Sequence, residues 1–176
     1  MVAKGLLKPY QMEIDTAESG YEAIEMVQKN GDSIGGVVQT CITGLPVGVG
    51  EPWFDNIESM ISHMLFSIGG IKGIEFGEGF NFANLKGSEA NDEFAYVDNK
   101  VITTTNHNGG VNGGITNGMP VSFNCVVKPT PSISLPQKSV NLETKENVEI
   151  EIKGRHDPAI IRRIPIVITS VTALAV

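Results

Sequence analysis

The chain reads as an α+β protein in which antiparallel sheet layers pack against helices. Two observations predict this. Short β-branched runs recur along its middle, bounded by glycine, proline or Asp-Asn turns. Two longer apolar segments, residues 53–68 and the uncharged tail 164–176, have the spacing or length of helices. With 176 residues, 41% hydrophobic and 19% charged, the chain has enough apolar material for a sizeable core.

Taken in order, Val2–Tyr10 reads as the end of a helix stopped by Pro9, and Met12–Ala17 alternates like a strand. Tyr21, Ala23, Ile24 and Val27 form a helical stripe, with Ser19 as N-cap and Glu22 as its capping-box partner. Gly36–Ile42 is strand-like. Pro52 opens a helix whose first turns carry Glu51, Asp55 and Glu58, where the macrodipole favours anions. Its buried face is Trp53, Ile57, Met60, Ile61, Met64, Leu65 and Ile68, with His63 as a packing or boundary residue. Ile71–Phe76 and Phe80–Leu85 read as short strands. Glu93–Val97 and Val101–Thr105 make a hairpin around Asp98-Asn-Lys100. Met119–Lys128 is a strand, Ser139–Leu142 and Val148–Lys153 a second hairpin, and the tail is helical after Pro165.

A net charge of −7 argues against general binding to nucleic acid or to an anionic membrane. Arg155, Arg162 and Arg163, the only arginines, fall within nine residues and suggest a local cationic site. Cys41 and Cys125 stand in apolar strand contexts without metal spacing, as two buried free thiols of a reducing cytoplasm would. Met1–Leu7 has no signal-peptide pattern, and the thirteen-residue tail is too short to span a bilayer.

Three segments carry the chemistry. Residues 106–118 hold five glycines among Asn, His and Thr, a composition that exposes backbone N–H groups and admits a ligand to the main chain. Lys128-Pro-Thr-Pro-Ser-Ile133 and Gly154-Arg-His-Asp-Pro158 each join a cation to a proline constraint. Together they suit a planar anionic ligand. Glu89, Asn91 and Asp92 offer the carboxylates of a metal site, but their place in a turn before a hairpin favours a solvated loop. No zinc spacing, Walker loop or serine-hydrolase elbow occurs, so no metal is expected.

From about Gly31 onward these motifs resemble the C-terminal part of chorismate synthases. They occur in order as Gly31-Asp-Ser-Ile-Gly-Gly36, Leu45-Pro-Val-Gly-Val-Gly-Glu-Pro52, Gly87-Ser-Glu-Ala-Asn-Asp-Glu-Phe94, the glycine run, and the two cationic motifs. Residues 2–29 resemble instead a fragment of a response-regulator receiver domain, on Glu13-Ile-Asp-Thr-Ala-Glu-Ser-Gly-Tyr-Glu-Ala-Ile-Glu25. Asp15 sits on the wrong strand for a phosphoacceptor, so no phosphorelay role is expected. The domain reading is therefore 1–30 and 31–176, as in a fused or recombined chain.

The larger resemblance implies part of a β-α-β sandwich, a tetramer and a cytoplasmic enzyme. It also implies a phosphorylated small-molecule substrate: 5-enolpyruvylshikimate 3-phosphate becomes chorismate by 1,4-elimination, with reduced FMN and no net redox change. It places Gly69 and Gly70 at the flavin, where other members often carry Pro-Ala or Asn-Ala, and Gly113 likewise through its backbone. Lys128, Pro129, Thr130, Pro131 and Ser132 would hold the cofactor, and Arg155 would clamp flavin or phosphate. Asp157 would manage a proton near the flavin, or else cap the final helix from the Asp-Pro step. His107 would bond ligand, or else fix its own loop; His156 would orient its neighbours. The family's two catalytic histidines and its substrate arginines belong to an N-terminal half these motifs do not include. The expectation is weak FMN binding without turnover, and the alternative is a non-catalytic structural or interaction module.

Overall fold

The computed structural model describes residues 19–176. The helix end expected at Val2–Tyr10 and the strand at Met12–Ala17 lie outside them. In chain order the elements are α1 (Gly20–Lys29), β1 (Gly36–Ile42), α2 (Ile57–Phe66), β2 (Ile71–Phe76), α3 (Gly87–Ala90), β3 (Phe94–Val97), β4 (Lys100–Thr103), β5 (Val111–Asn112), β6 (Ile115–Thr116), β7 (Val121–Val127), β8 (Gln137–Asn141), β9 (Glu146–Ile150) and α4 (Ile164–Ala175). The described residues fall into two compact units, one of residues 19–34 with 130–159, the other of 35–129 with 160–176.

The larger unit, 35–129 with 160–176, is built on β7. This strand pairs antiparallel with β1 on one side, from Gly36 opposite Val127 to Ile42 opposite Val121, and with β2 on the other. Flanked on both sides, β7 sends Val121, Phe123, Cys125 and Val127 to one face, all buried. Helix α2 packs on α4 and on β2 and contributes Ile57, Ile61 and Leu65 at four-residue spacing. Helix α4, with Pro165 in its first turn, contributes Ile164 and Ile168. These side chains, with Ile71 and Val111, form one apolar core. The opposite side of α4 carries Ile166 and Leu174, 70% and 76% exposed.

Several local expectations change. The helix does not begin at Pro52: Trp53–Asp55 is a separate 3-10 turn, and α2 starts at Ile57. The cause is Asn56, an extended N-cap whose side-chain oxygen accepts the Ser59 N–H at 2.7 Å. Trp53, with a positive φ of 67°, leaves the apolar stripe and is 82% exposed. His63 is exposed too, facing away from the core. Phe80–Leu85 is not a strand but lies in the 3-10 stretch Gly79–Asn84. Gly77 and Gly79 turn the chain there with positive φ, and the Glu75 carboxylate accepts the Phe80 N–H at 3.2 Å. Cys41 is exposed on the outer face of β1, because Val38 and Ile42 take the inward positions. Only Cys125 is a buried thiol.

The β3–β4 hairpin closes as expected at Asp98 and Asn99, whose φ values of 50° and 60° mark a turn of the primed type that suits strand twist.

In the other unit, the Ser19 hydroxyl accepts the Glu22 N–H at 3.2 Å and caps α1, which buries none of its residues fully. β8 and β9 form the second hairpin. The strap Gly31–Ile34 is fixed at three points. Gly31 O accepts the Ser134 N–H at 2.9 Å, the Ser33 hydroxyl donates to Thr130 O at 2.6 Å, and the Ile34 N–H donates to Pro158 O at 2.9 Å.

Ile61, fully buried in α2, sets the scale of the core. Ile61→Ala is expected to lower unfolding free energy by about 2–5 kcal/mol in urea titration, and Trp53→Ala by less than about 0.5. Burial pushes the Cys125 thiol up to about 11. One equivalent of a thiol reagent, at Cys41, should therefore react quickly with the folded protein, and the second only after denaturation.

Candidate functional site

The glycine run is a packed device as well as a surface loop. Gly109, Gly110 and Gly114 are buried. A Cβ on Gly109 would stand 2.7 Å from Ser122 O, one on Gly110 2.5 Å from Pro120 O, and one on Gly114 2.5 Å from Asn56 Cβ. Each glycine thus lets main chain lie against its neighbours at a distance no side chain permits. Gly114 O also accepts the Ile57 N–H at 3.0 Å, so the run anchors the start of α2. Thr116 ties it to the preceding loop, its hydroxyl donating to Pro46 O at 2.7 Å and accepting the Val49 N–H at 2.9 Å. This corrects the expectation that the run as a whole offers its amides outward. Gly113 alone matches it: the residue is exposed at the β5–β6 turn, with φ 59° and nothing within 4 Å of a Cβ.

The loop before the run is held by Asp92, which is 4% exposed and so no part of a solvated loop. Its Oδ1 accepts from the Thr105 hydroxyl at 2.7 Å and the His107 N–H at 2.7 Å. Its Oδ2 accepts from the Asn108 N–H at 2.9 Å and the Asn108 amide at 2.8 Å. Burial by itself would raise this carboxyl's pKa; the four hydrogen bonds outweigh burial and hold it below its ordinary value. The sequence signal was present, since Asp92 and Asn106-His-Asn108 both lie in singled-out motifs, but their contact is long-range. Glu89 instead accepts the Lys86 N–H at 2.9 Å and closes α3. Among the described residues no group of three or more His, Cys, Asp or Glu is placed to hold a metal.

His107 is gripped by its main chain and its ring. Its carbonyl accepts the Glu78 N–H at 2.8 Å, and its Nδ1 lies 3.3 Å from Glu78 Oε1. The amide of Asn81 first, and His107 second, lower the pKa of the Glu78 carboxyl. Sequence reading passed over Glu78, a half-buried acid with no pattern of its own.

Gly69, Gly70 and Lys128 meet in the larger unit. The Lys128 N–H donates to Gly70 O at 2.9 Å, Gly70 has φ 101°, and nothing stands within 4 Å of a Cβ on Gly69. Gly113 is not with them: Gly114 abuts the N-cap of α2, whereas Gly69 follows its C-terminus, and ten helical residues span about 15 Å. Pro129 lies against Gly35, where a Cβ would come 3.1 Å from the ring.

In the other unit, Ser33 holds the carbonyl of Thr130, whose own buried hydroxyl has no partner among the described residues. Pro131 O accepts from the Gln137 amide at 3.3 Å. Ser132 Oγ lies 2.9 Å from His156 Nδ1. Arg155 is exposed, and among the described residues no carboxylate pairs with it or with Lys128. Asp157 Oδ1 accepts the Ala159 N–H at 3.2 Å and fixes the Asp-Pro turn; it does not cap the final helix, because α4 begins only after Arg163.

The sequence model of one family, chorismate synthase, matches residues 8–176 and so crosses residue 30, taking in most of the receiver-like segment. The chorismate synthase of Korarchaeum cryptofilum is 46% identical over 154 residues, 88% of this chain and 43% of that protein. That of Acetivibrio thermocellus is 48% identical over 154 residues, covering 86% and 39%. That of Methanobrevibacter smithii is 46% identical over 162 residues, covering 92% and 44%. A crystal structure of chorismate synthase superposes with a TM-score of 0.60 at 37% identity, covering 62% of this chain and 34% of that one. The chain thus spans less than half the length of these relatives.

The Asp92 clamp has an acid signature. A carboxyl whose folded pKa is lowered contributes stability that is complete above its unfolded value, about 3.9, and is lost as pH falls through the folded one. Asp92→Asn should cost about 1–3 kcal/mol near neutrality and flatten the loss of stability below about pH 4, read by urea midpoints across pH. An unchanged acid limb would remove Asp92 from this role.

Proposed function

The chain belongs to the chorismate synthase family, and from that membership we propose that it supplies the flavin-holding part of a chorismate synthase active site. The reaction assigned is the 1,4-elimination of phosphate from 5-enolpyruvylshikimate 3-phosphate to give chorismate. The cluster of Gly69, Gly70 and Lys128 carries this reading. It joins open main chain at Gly69 to the backbone of Lys128, a lysine with which no carboxylate pairs among the described residues. The partnerless buried hydroxyl of Thr130 also fits a segment completed by a ligand.

Reduced FMN, when bound, supplies an electron-rich ring next to the substrate and is not consumed. The chain's own residues bind and orient. Gly69 and Gly70 present main chain that a flat ring can approach closely, and Gly113, at the other end of α2, offers main chain separately. Lys128 in one unit and Arg155 in the other each offer positive charge to an anion, the guanidinium as a two-pronged donor. Pro129 and Pro131 keep Lys128–Ser132 extended, so little freedom is lost when the segment takes up a ligand. Asp157, aimed by the Ala159 N–H, holds or accepts a proton at its carboxylate. His107, with Nδ1 toward Glu78, turns Nε2 to the ligand. Turnover requires the family's catalytic histidines and substrate arginines, which lie outside the matched motifs. The exposed Ile166 and Leu174 of α4 support burial of that face in a homo-oligomer.

Fluorescence titration with FMN should show saturable quenching, weakened at least about tenfold in Arg155→Ala by loss of charged hydrogen bonds. Absence of quenching in the unaltered chain would favour a structural module instead. The chain alone should give no measurable chorismate from 5-enolpyruvylshikimate 3-phosphate with reduced FMN; turnover would show that its own residues suffice.

A further inference from the structure

Ser132, His156 and Ile152 form a hydrogen-bonded chain within one unit. His156 Nε2 lies 2.8 Å from Ile152 O, and His156 Nδ1 lies 2.9 Å from Ser132 Oγ. A carbonyl oxygen only accepts, so Nε2 carries a proton. A neutral imidazole has one N–H, which leaves Nδ1 as an acceptor. The single hydroxyl hydrogen of Ser132 is therefore committed to Nδ1, and Oγ has only lone pairs left for anything else.

We propose that His156 is a positioning residue that sets the hydrogen-bond polarity of Ser132, making it an acceptor toward the ligand. Resting on the flavin reading above, this assigns to Ser132 a ligand hydroxyl or ring N–H rather than a phosphate oxygen. An anion at Oγ would face lone pairs, which repel it; a ribityl hydroxyl or a flavin N–H is a donor and fits. Anion binding then falls to Lys128 and Arg155. The inference separates two roles that composition alone would merge, since serine beside lysine in a Pro-rich segment ordinarily suggests phosphate.

Two measurements on the full chain test it. The first is the imidazole 15N spectrum of His156, assigned with His156→Gln and recorded near about pH 8, where imidazole is neutral. Nε2 should be protonated and Nδ1 shifted as a hydrogen-bond acceptor. Ser132→Ala should move the Nδ1 resonance toward its unbonded position and leave Nε2 in place. A proton on Nδ1 would overturn the proposal. The second compares riboflavin with FMN. Ser132→Ala should weaken both by the same factor, roughly five- to tenfold, and Ser132→Thr should restore both. A loss confined to FMN would place the phosphate on Ser132 and overturn the proposal. If the unaltered chain takes up neither flavin, the cofactor reading fails by itself, and the tautomer of His156 still decides this one.

Discussion

The close approach of main chain to main chain at residues 109–114 is the constraint on which much of the larger unit depends. Gly109 lies against Ser122 O at the start of β7, Gly110 against Pro120 O, and Gly114 against the N-cap of α2. A methyl group at Gly109 or Gly110 would meet backbone atoms beside β7, and one at Gly114 the Asn56 side chain that caps α2. The run thereby sets the distance between the central strand, the principal helix and the His107 loop. Gly114 O and the Thr116 hydroxyl are engaged as well, accepting the Ile57 and Val49 N–H groups.

The same arrangement explains how a polar loop can be rigid without a core of its own. Asp92 collects four donors in a nearly water-free position, so the loop from Thr105 to Asn108 has few alternative conformations. His107 inherits that rigidity through its N–H, its carbonyl and its ring. In the other unit, Ser33 and Gly31 hold the segment Thr130–Ser134, and His156 Nδ1 lies against the hydroxyl of Ser132. Side chains that would touch a ligand are in each case backed by groups that would not.

Much of the fold was legible because its signals are local. β1 and β2 were bounded by glycine and by β-branched content, the Asp98-Asn99 turn by residues that tolerate positive φ, and α4 by Pro165. The failures share a cause. Phe80–Leu85 has strand-like composition, but no neighbouring strand pairs with it, and glycines on its N-terminal side bend the chain away. Trp53 has helical spacing from Ile57, yet Asn56 is the better cap and cuts the stripe short. Asp92 looked solvated because its four donors come from residues thirteen to sixteen positions away.

By itself, then, the sequence determined the α+β class, the order of most elements, the family and the residue types available for an anionic flavin. Those follow from periodicity, turn chemistry and motif, which act over a few residues at a time. Only the tertiary structure decided which thiol is buried, which glycines face the protein instead of a ligand, and which carboxylate is a clamp. It also placed the Ser132 hydroxyl beside His156 Nδ1. Each of these depends on an atom contributed by a distant part of the chain, and hydrogen-bond direction and burial exist only once that atom is in place.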